Sequence, residues 1–246
     1  MSDAARDIGD VAAALDRLLT AYRRGGESAL AALAVDGDPL RECRVRLAAT
    51  GVRDGDPAAA EAGRALAALE AALAAAPHPL PDSYWVVPGR LLAGEYPGAR
   101  EDAQARRQVR RLLWCGVTEF VDLTEAGEYG LRPYAPLLDG RARHRRFPVP
   151  DRDVPDAATM RAILDAVDGA LAAGGNVYIH CFGGIGRTGT VVGCWLMRHG
   201  HSAEAALREI ASRRAGTPDA WCPSPETPEQ RAFVDAWREP GPACSG

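Results

Sequence analysis

Residues 180–189, HCFGGIGRTG, are the stretch that decides the fold of this chain. They follow residues 176–179, NVYI, which predict a short buried strand of the parallel kind, and they lead into a predicted helix at residues 187–198. Ligands of open α/β sheets bind at such strand–loop–helix junctions. Three glycines within residues 181–186 let the loop curl tightly and turn its N–H groups inward, which predicts an anion cradle at the N-terminus of the helix.

The residue types in this loop suit the hydrolysis of a phosphate monoester by a thiol. N–H dipoles around Cys181 stabilise a thiolate, which is the nucleophilic form of cysteine. Arg187 stands six residues later and can bind the same phosphate in a bidentate way, while the hydroxyl of Thr188 can stabilise the thiolate when it departs again. The reaction further requires a general acid, because an alkoxide or phenoxide is a poor leaving group.

This stretch resembles the HCx5R(S/T) signature of the protein tyrosine phosphatase superfamily, and most of all its compact dual-specificity branch, including the cyclin-dependent-kinase-associated phosphatase type. The resemblance covers roughly residues 83–237. It implies an α/β fold with a central, mostly parallel sheet flanked by helices, and it makes Cys181 the nucleophile. The substrate-binding residues that it implies are Phe182, Gly183, Gly184, Ile185, Gly186 and Arg187, through their amides and the guanidinium.

The family also needs an aspartic acid on a loop about thirty residues before the cysteine. Residues 147–151, FPVPD, follow a predicted strand and resemble that loop, so Asp151 is our choice for the general acid. Asp153 is the alternative. It also suits the start of the following helix, where the helix dipole favours a negative charge.

Two other features have competing interpretations. The acidic segment at residues 122–128, DLTEAGE, can line the cleft, although acidic residues at the end of a strand are usually solvated or capping. Gln230 can position the attacking water, as a glutamine does in related enzymes, or it can be an exposed residue in the first turn of the last helix.

Alternating patterns predict the secondary structure of the second part of the chain. Apolar and alternating runs predict strands, 3.6-residue periodicity predicts helices, and their alternation predicts an α/β sandwich. The predicted strands are residues 84–87, 91–95, 119–123, 143–149 and 176–179, and the predicted helices are residues 104–115, 157–173, 187–198, 203–214 and 226–237.

Residues 1–76 are rich in alanine and carry no strand pattern. An apolar stripe predicts one helix, and Asp56-Pro57, an N-cap followed by proline, predicts the start of another. The stripe consists of Val11, Leu15, Leu18, Leu19 and Tyr22. We therefore predict a helical region at residues 1–76, a proline-rich linker at 77–82, a phosphatase domain at 83–238 and a flexible tail at 239–246. The helical region has a docking or dimerisation role as its default interpretation.

Composition excludes several classes of function. The chain contains no lysine, so all 29 basic residues are arginine, which excludes the nucleotide phosphate loop, the Schiff-base enzymes and the kinases. This usage is typical of a GC-rich, bacterial genome.

A net charge of −4 argues against nucleic-acid binding. No apolar run approaches the roughly 18 to 20 residues of a membrane span, and the N-terminus lacks the pattern of a secretory signal, so we expect a cytoplasmic protein without a membrane partner.

We expect no cofactor and no metal. The six cysteines show no CxxC pair, and His199 and His201 are interpreted as a helix terminus. Other interpretations of the loop remain open from the sequence. An arsenate reductase or a sulfurtransferase also places a cysteine in an anion-binding loop, and a non-catalytic module can retain the fold for phosphate binding.

The neutral side chains of the loop favour a phosphorylated protein over a phosphoinositide, because phosphoinositide phosphatases tend to carry basic residues there. The sequence does not distinguish phosphotyrosine from phosphoserine or phosphothreonine.

Overall fold

A computed structural model of the chain describes residues 3–32, 42–43, 45–47, 57–74 and 78–239. The chain divides into two compact units, residues 1–75 and residues 76–246. Pro77 of the predicted linker and residues 240–246 of the predicted tail lie outside the described residues.

The first unit contains two long helices, α1 (Asp3–Ala32) and α2 (Pro57–Ala74), which pack against each other. The predicted stripe on α1 is buried except at Tyr22, which is partly exposed; Val11 and Leu15 are fully inaccessible, and Leu69 of α2 is equally buried. The hydroxyl of Tyr22 donates to the carbonyl of Ala72 at 3.1 Å. None of the described helices is both long enough and apolar enough to cross a membrane.

The second unit is built on a five-stranded sheet in the order β1-β2-β5-β3-β4, parallel except for the antiparallel β1–β2 pair. The prediction of a mostly parallel sheet flanked by helices is confirmed. Its elements are β1 (Tyr84–Val87), β2 (Leu91–Gly94), α3 (Asp102–Trp114), β3 (Glu119–Asp122), β4 (Arg143–Arg146), α4 (Ala157–Ala172), β5 (Val177–His180), α5 (Gly186–Arg198), α6 (Ala203–Arg214) and α7 (Pro228–Ala236).

The two faces of the sheet differ because successive side chains of a strand point to opposite sides. On one face, Val177 and Ile179 of β5 join an apolar core that includes side chains of α4, α5, α6 and α7. On the other face, the ring of Tyr178 packs against Phe120, and His180 lies among aromatic rings. The central strand therefore ends at a histidine on the aromatic face and is followed by a cysteine that joins the apolar core.

The edge strand β4 ends three residues earlier than the predicted 143–149. The N–H groups of Phe147 and Val149 still donate to the carbonyls of Asp122 and Leu123, at 2.8 and 3.1 Å. The prolines at positions 148 and 150 have no N–H to donate, so regular pairing stops while the chain stays alongside β3. This irregular continuation carries the predicted acid loop toward the carboxyl ends of the strands.

We expect residues 76–246, produced without the first unit, to fold and to melt cooperatively within a few degrees of the full chain. The reason is that this unit has a core of its own, and a domain with its own core can fold alone. Circular dichroism melting of the fragment beside the full chain measures this. A fragment without a cooperative transition would show that residues 1–75 complete the core.

Candidate active site

Residues 181–185, which we call the cysteine loop, connect the end of β5 to the start of α5. Gly184 has a φ of +74°, in the left-handed region that favours glycine. A Cβ there would also lie 2.3 Å from the carbonyl carbon of Gly94 and 2.6 Å from the nitrogen of Glu95. The loop thus packs directly onto the backbone at the end of β2, and only glycine permits this approach.

Two carbonyl groups of the cysteine loop accept hydrogen bonds from residues outside the loop. The carbonyl of Phe182 accepts from the N–H of Tyr96 at 2.9 Å, and the carbonyl of Ile185 accepts from the hydroxyl of Ser224 at 2.7 Å. Within the described ranges, no acceptor binds the backbone N–H groups of residues 182–187. Several N–H groups that curl around one point at a helix N-terminus form the predicted anion cradle.

Cys181 is buried, with 3 % of its surface exposed, and packs beside Ile179 in the apolar core. Thr188 is buried as well, and its hydroxyl has no hydrogen-bond partner in the part of the chain that the structure describes. The same holds for Nε of Arg187. Buried polar atoms are almost always paired in proteins, so two such atoms next to the cradle fit a site that binds an oxyanion.

The guanidinium of Arg187 is fixed by four close contacts. Nη1 donates to Glu128 Oε2 at 2.7 Å and to the carbonyl of Val149 at 2.9 Å, while Nη2 donates to Glu128 Oε1 at 2.6 Å and to Asp151 Oδ1 at 2.8 Å. Burial alone would lower the pKa of Arg187, but the hydrogen bonds and charge of Glu128, together with the charges of Cys181 and Asp151, raise the pKa overall. The side chain is therefore a fixed cation in the wall of the cradle.

The structure brings Asp151, and not Asp153, to this arginine. Oδ1 of Asp151 contacts Arg187, and Oδ2 accepts a hydrogen bond from the hydroxyl of Tyr129 at 2.7 Å. The side chain of Asp153 is exposed and accepts from the next backbone N–H at 2.8 Å, and its carbonyl accepts from Gln230. The geometry thus favours Asp151 as the acid, and its role stays a prediction.

The sequence did not reveal the position of Tyr129. It lies with Glu128 in a short turn between Gly127 and Gly130, and these two glycines have φ angles of +76° and +71°. Tyr129 itself has a φ of +49°, which is unusual for an aromatic residue. The turn points Glu128 at the guanidinium and places the ring of Tyr129 beside Phe182, with 5.2 Å between the centroids. The flanking glycines were the only signal of this turn in the sequence.

Most of the acidic segment at residues 122–128 does not line the cleft. Asp122 is fully buried, and it accepts hydrogen bonds from Thr124, from His144 at 2.9 Å and from Arg146 at 2.9 Å. Burial alone would raise the pKa of Asp122, but the hydrogen bonds from His144 and Thr124 hold the pKa well below its usual range. Glu128, the last residue of the segment, contacts Arg187 through its side chain, and Leu123 contacts it through its carbonyl at 3.4 Å.

His180 supports the loop from the aromatic face of the sheet. Its Nε2 lies 2.6 Å from the hydroxyl of Tyr134, and its Nδ1 lies 3.3 Å from the carbonyl of Cys181. Burial lowers the pKa of His180 to about 4, although the nearby carboxylate of Asp122 opposes this. The ring is therefore neutral at physiological pH and orients the backbone of the cysteine rather than supplying a charge.

Gln230 is fully buried, so the prediction of an exposed residue is wrong. Its Oε1 accepts from the N–H groups of Glu226 and Thr227, both at 3.1 Å, and its Nε2 donates to the carbonyl of Asp153 at 3.1 Å. Together with Thr227 it forms a capping box, and α7 therefore begins at Pro228 rather than at residue 226. Gln230 ties the helix cap to the acid loop.

The fold and this loop define the class of proteins that bind phosphate with a cysteine loop at a strand–helix junction. A family model described as "Swiss Army Knife protein, DSP-PTPase phosphatase domain" matches residues 81–228, more than half of the chain. The chain belongs to this family of dual-specificity and tyrosine phosphatase domains. The comparisons do not favour an arsenate reductase, a sulfurtransferase or a non-catalytic module.

Curated relatives match part of this chain. Over 158 residues, this chain is 30 % identical to the Arabidopsis thaliana "phosphatidylinositol 3,4,5-trisphosphate 3-phosphatase and protein-tyrosine-phosphatase PTEN1". The match covers 61 % of this chain and 36 % of that protein. It is 33 % identical over 115 residues to "putative tyrosine phosphatase 067L" of Invertebrate iridescent virus 3, across 45 % of this chain and 43 % of that protein. The chain thus spans less than half the length of these two relatives.

Two solved structures share the fold. The active form of Tk-PTP has a TM-score of 0.50 and 29 % identity, covering 63 % of this chain and 94 % of that one. Kinase associated phosphatase (KAP), with a serine in place of its catalytic-site cysteine, has a TM-score of 0.51 and 21 % identity, covering 58 % and 83 %.

The neutral His180 predicts a pH-dependent stability. Its pKa is about 4 in the folded state and about 6.5 in an unfolded chain, so the unfolded chain binds more protons between these values. The contribution of His180 to the free energy of unfolding is complete above about pH 6.5 and falls by about 3 kcal/mol as the pH drops to about 4. The free energy of unfolding can be measured with denaturant at several pH values in this range. It should change less steeply with pH for His180→Gln than for the wild-type chain.

His201→Gln is the control, because this exposed histidine should leave the slope unchanged. Equal slopes for His180→Gln and the wild-type chain would contradict the assignment of a neutral, buried imidazole.

Proposed function

We propose that this protein is a cysteine-dependent phosphatase that removes phosphate from phosphorylated proteins through a cysteinyl-phosphate on Cys181. The observation that carries the proposal is the cradle itself. Six consecutive backbone N–H groups, at residues 182–187, have no acceptor in the described part of the chain; they directly follow Cys181 at the N-terminus of α5, and the guanidinium of Arg187 is held in place by carboxylates. This arrangement stabilises both a thiolate and the oxygens of a phosphoryl group.

In the first step, the thiolate of Cys181 attacks phosphorus while the bond between phosphorus and the leaving oxygen breaks. Asp151 gives its proton to that oxygen, so the substrate leaves as an alcohol or a phenol. Arg187 and the loop amides hold the three other oxygens of the transferring group as charge moves among them.

In the second step, a water molecule attacks the phosphorus and gives a proton to Asp151. The bond between sulfur and phosphorus breaks, and the electron pair returns to sulfur as a thiolate. The buried hydroxyl of Thr188 is the group that we assign to stabilise this thiolate. Inorganic phosphate is released, and Asp151 is protonated again for the next cycle.

The substrate is proposed to be a phosphoprotein, with phosphotyrosine as the preferred residue. Phe182 and Tyr129 are exposed to 47 % and 67 % and form what we call the aromatic rim beside the cradle. Such a rim supports contact with the ring of a phosphotyrosine. The name of the Arabidopsis relative gives both a phosphoinositide phosphatase and a protein-tyrosine-phosphatase, and the neutral side chains of the loop in this chain favour a protein over a phosphoinositide.

We also propose a cytoplasmic location, because a thiol nucleophile persists in a reducing compartment. For the two helices of the first unit we propose docking or dimerisation. A bacterial origin stays a prediction from the composition.

Cys181→Ser should lower the hydrolysis of p-nitrophenyl phosphate by about 10⁴-fold or more, because the nucleophile is lost. The variant should still bind vanadate or phosphate, since the loop amides and Arg187 remain. Turnover rates and oxyanion binding by calorimetry measure the two effects. Cys222→Ser is the matched control, because this partly exposed thiol lies outside the cysteine loop and the variant should keep wild-type rates. Activity of Cys181→Ser within about tenfold of wild type would exclude the covalent mechanism.

Asp151→Asn should lower kcat strongly for phenyl phosphate, whose leaving group needs a proton, and much less for an aryl phosphate that departs unprotonated. It should also remove the basic limb of the pH–rate profile, which reports the loss of the acid's proton. Asp153→Asn is the matched comparison and should keep both properties of the wild-type enzyme. The opposite pattern would assign the general acid to Asp153.

A further inference from the structure

A second cavity lies directly beside the aromatic rim. Its volume is about 370 Å³, and its wall includes Tyr129 and Phe182 together with Arg100 and Arg132. We call it the flanking pocket. It combines two aromatic faces with two guanidinium groups, whereas the side chains of the cysteine loop itself are neutral.

The flanking pocket shares a wall with the catalytic site. Phe182 follows Cys181 in the chain. Its carbonyl accepts a hydrogen bond from the N–H of Tyr96, which fixes the backbone that carries the Phe182 ring. The hydroxyl of Tyr129 donates to Asp151, which fixes the other half of the wall. A substrate whose phosphate occupies the cradle therefore passes over the aromatic rim and reaches the flanking pocket with its neighbouring residues.

The charges of the flanking pocket favour an anion. Arg132 donates to the backbone carbonyl of Arg100 at 2.7 Å, which brings the two residues to the same edge. Arg132 also pairs with Asp102 at 2.9 Å, but both side chains are more than half exposed, and such pairs are weak. The guanidinium of Arg100 is exposed and has no ion-pair partner within the described ranges. The nearest carboxylates of the site, Glu128 and Asp151, are already paired with Arg187.

We propose that the flanking pocket is a specificity subsite that binds the carboxylate of an aspartate or glutamate close to the phosphorylated residue of a peptide substrate. The inference rests on the proposed function. An extended peptide advances by about 3.3–3.6 Å per residue, so the three positions on either side of the phosphorylated residue span about 10 Å in each direction, and we place the acidic residue within that span. Its carboxylate binds Arg100, and its methylene groups pack on the aromatic rim.

Pairs of phosphotyrosyl peptides test the subsite. The two peptides of a pair carry aspartate or alanine at one position and are otherwise identical, and their kcat/KM values are compared. The aspartate is moved through the three positions on each side of the phosphotyrosine. At the best position, the full-length wild-type chain should show a kcat/KM ratio of acidic to alanine peptide of about two to five, as expected for partly exposed charge pairs. Arg100→Gln should bring this ratio close to one.

Arg208→Gln is the matched control. It removes one exposed arginine from α6, paired only with its helix neighbour Glu204 among the described residues, and should keep the wild-type ratio. A ratio near one at every position in the wild-type chain, or a ratio that Arg100→Gln leaves unchanged, would overturn the proposal.

A binding experiment separates the failure of the subsite from the failure of the proposed function. Cys181→Ser and the double variant with Arg100→Gln are titrated with the same peptide pairs, and the acidic peptide should bind more tightly only to the first. This result stands even if the wild-type chain hydrolyses nothing. Vesicles containing phosphatidylinositol phosphates form the third arm. Turnover of these lipids above that of the peptides, with dependence on Arg100, would assign the flanking pocket to a lipid headgroup and refute the peptide subsite.

Discussion

The charge of Arg187 is the constraint on which the rest of the site depends. A buried guanidinium is costly unless it is paired, and the partners of this one come from two different segments of the chain. Glu128 comes from the turn after β3, Val149 and Asp151 come from the irregular continuation of β4, and the arginine itself comes from the first turn of α5. One cation thereby fixes the position of the acid loop relative to the cysteine loop.

The sequence predicted those parts of the site whose positions follow from local rules. The glycines, the cysteine and the arginine of residues 181–187 lie within one strand–loop–helix unit, and the prolines beside Asp151 mark the end of a strand. The number and order of the elements were predictable for the same reason, since apolar periodicity and turn residues are local signals. The first turn of α7 was misplaced by two residues, because the capping box of Thr227 and Gln230 was not recognised.

The remaining features depend on contacts between residues that are distant in sequence. Tyr129 reaches Asp151, 22 residues away, only because its turn adopts left-handed backbone angles that no propensity favours for an aromatic residue. The flanking pocket likewise combines Arg100 with Phe182, from two elements far apart in the chain. The buried pairing of Asp122 with His144 follows from the register of β3 and β4 rather than from either segment alone.

The pairing of Arg187 with two carboxylates also bears on the end of the catalytic cycle. In the proposed cycle Asp151 has taken up a proton when inorganic phosphate forms, so Glu128 is the carboxylate beside Arg187 that repels the dianion attracted by the backbone N–H groups. Product affinity is thereby held below what the donors alone would give. On the proposed mechanism, the carboxylate of Glu128 therefore both fixes Arg187 and weakens the binding of the released phosphate.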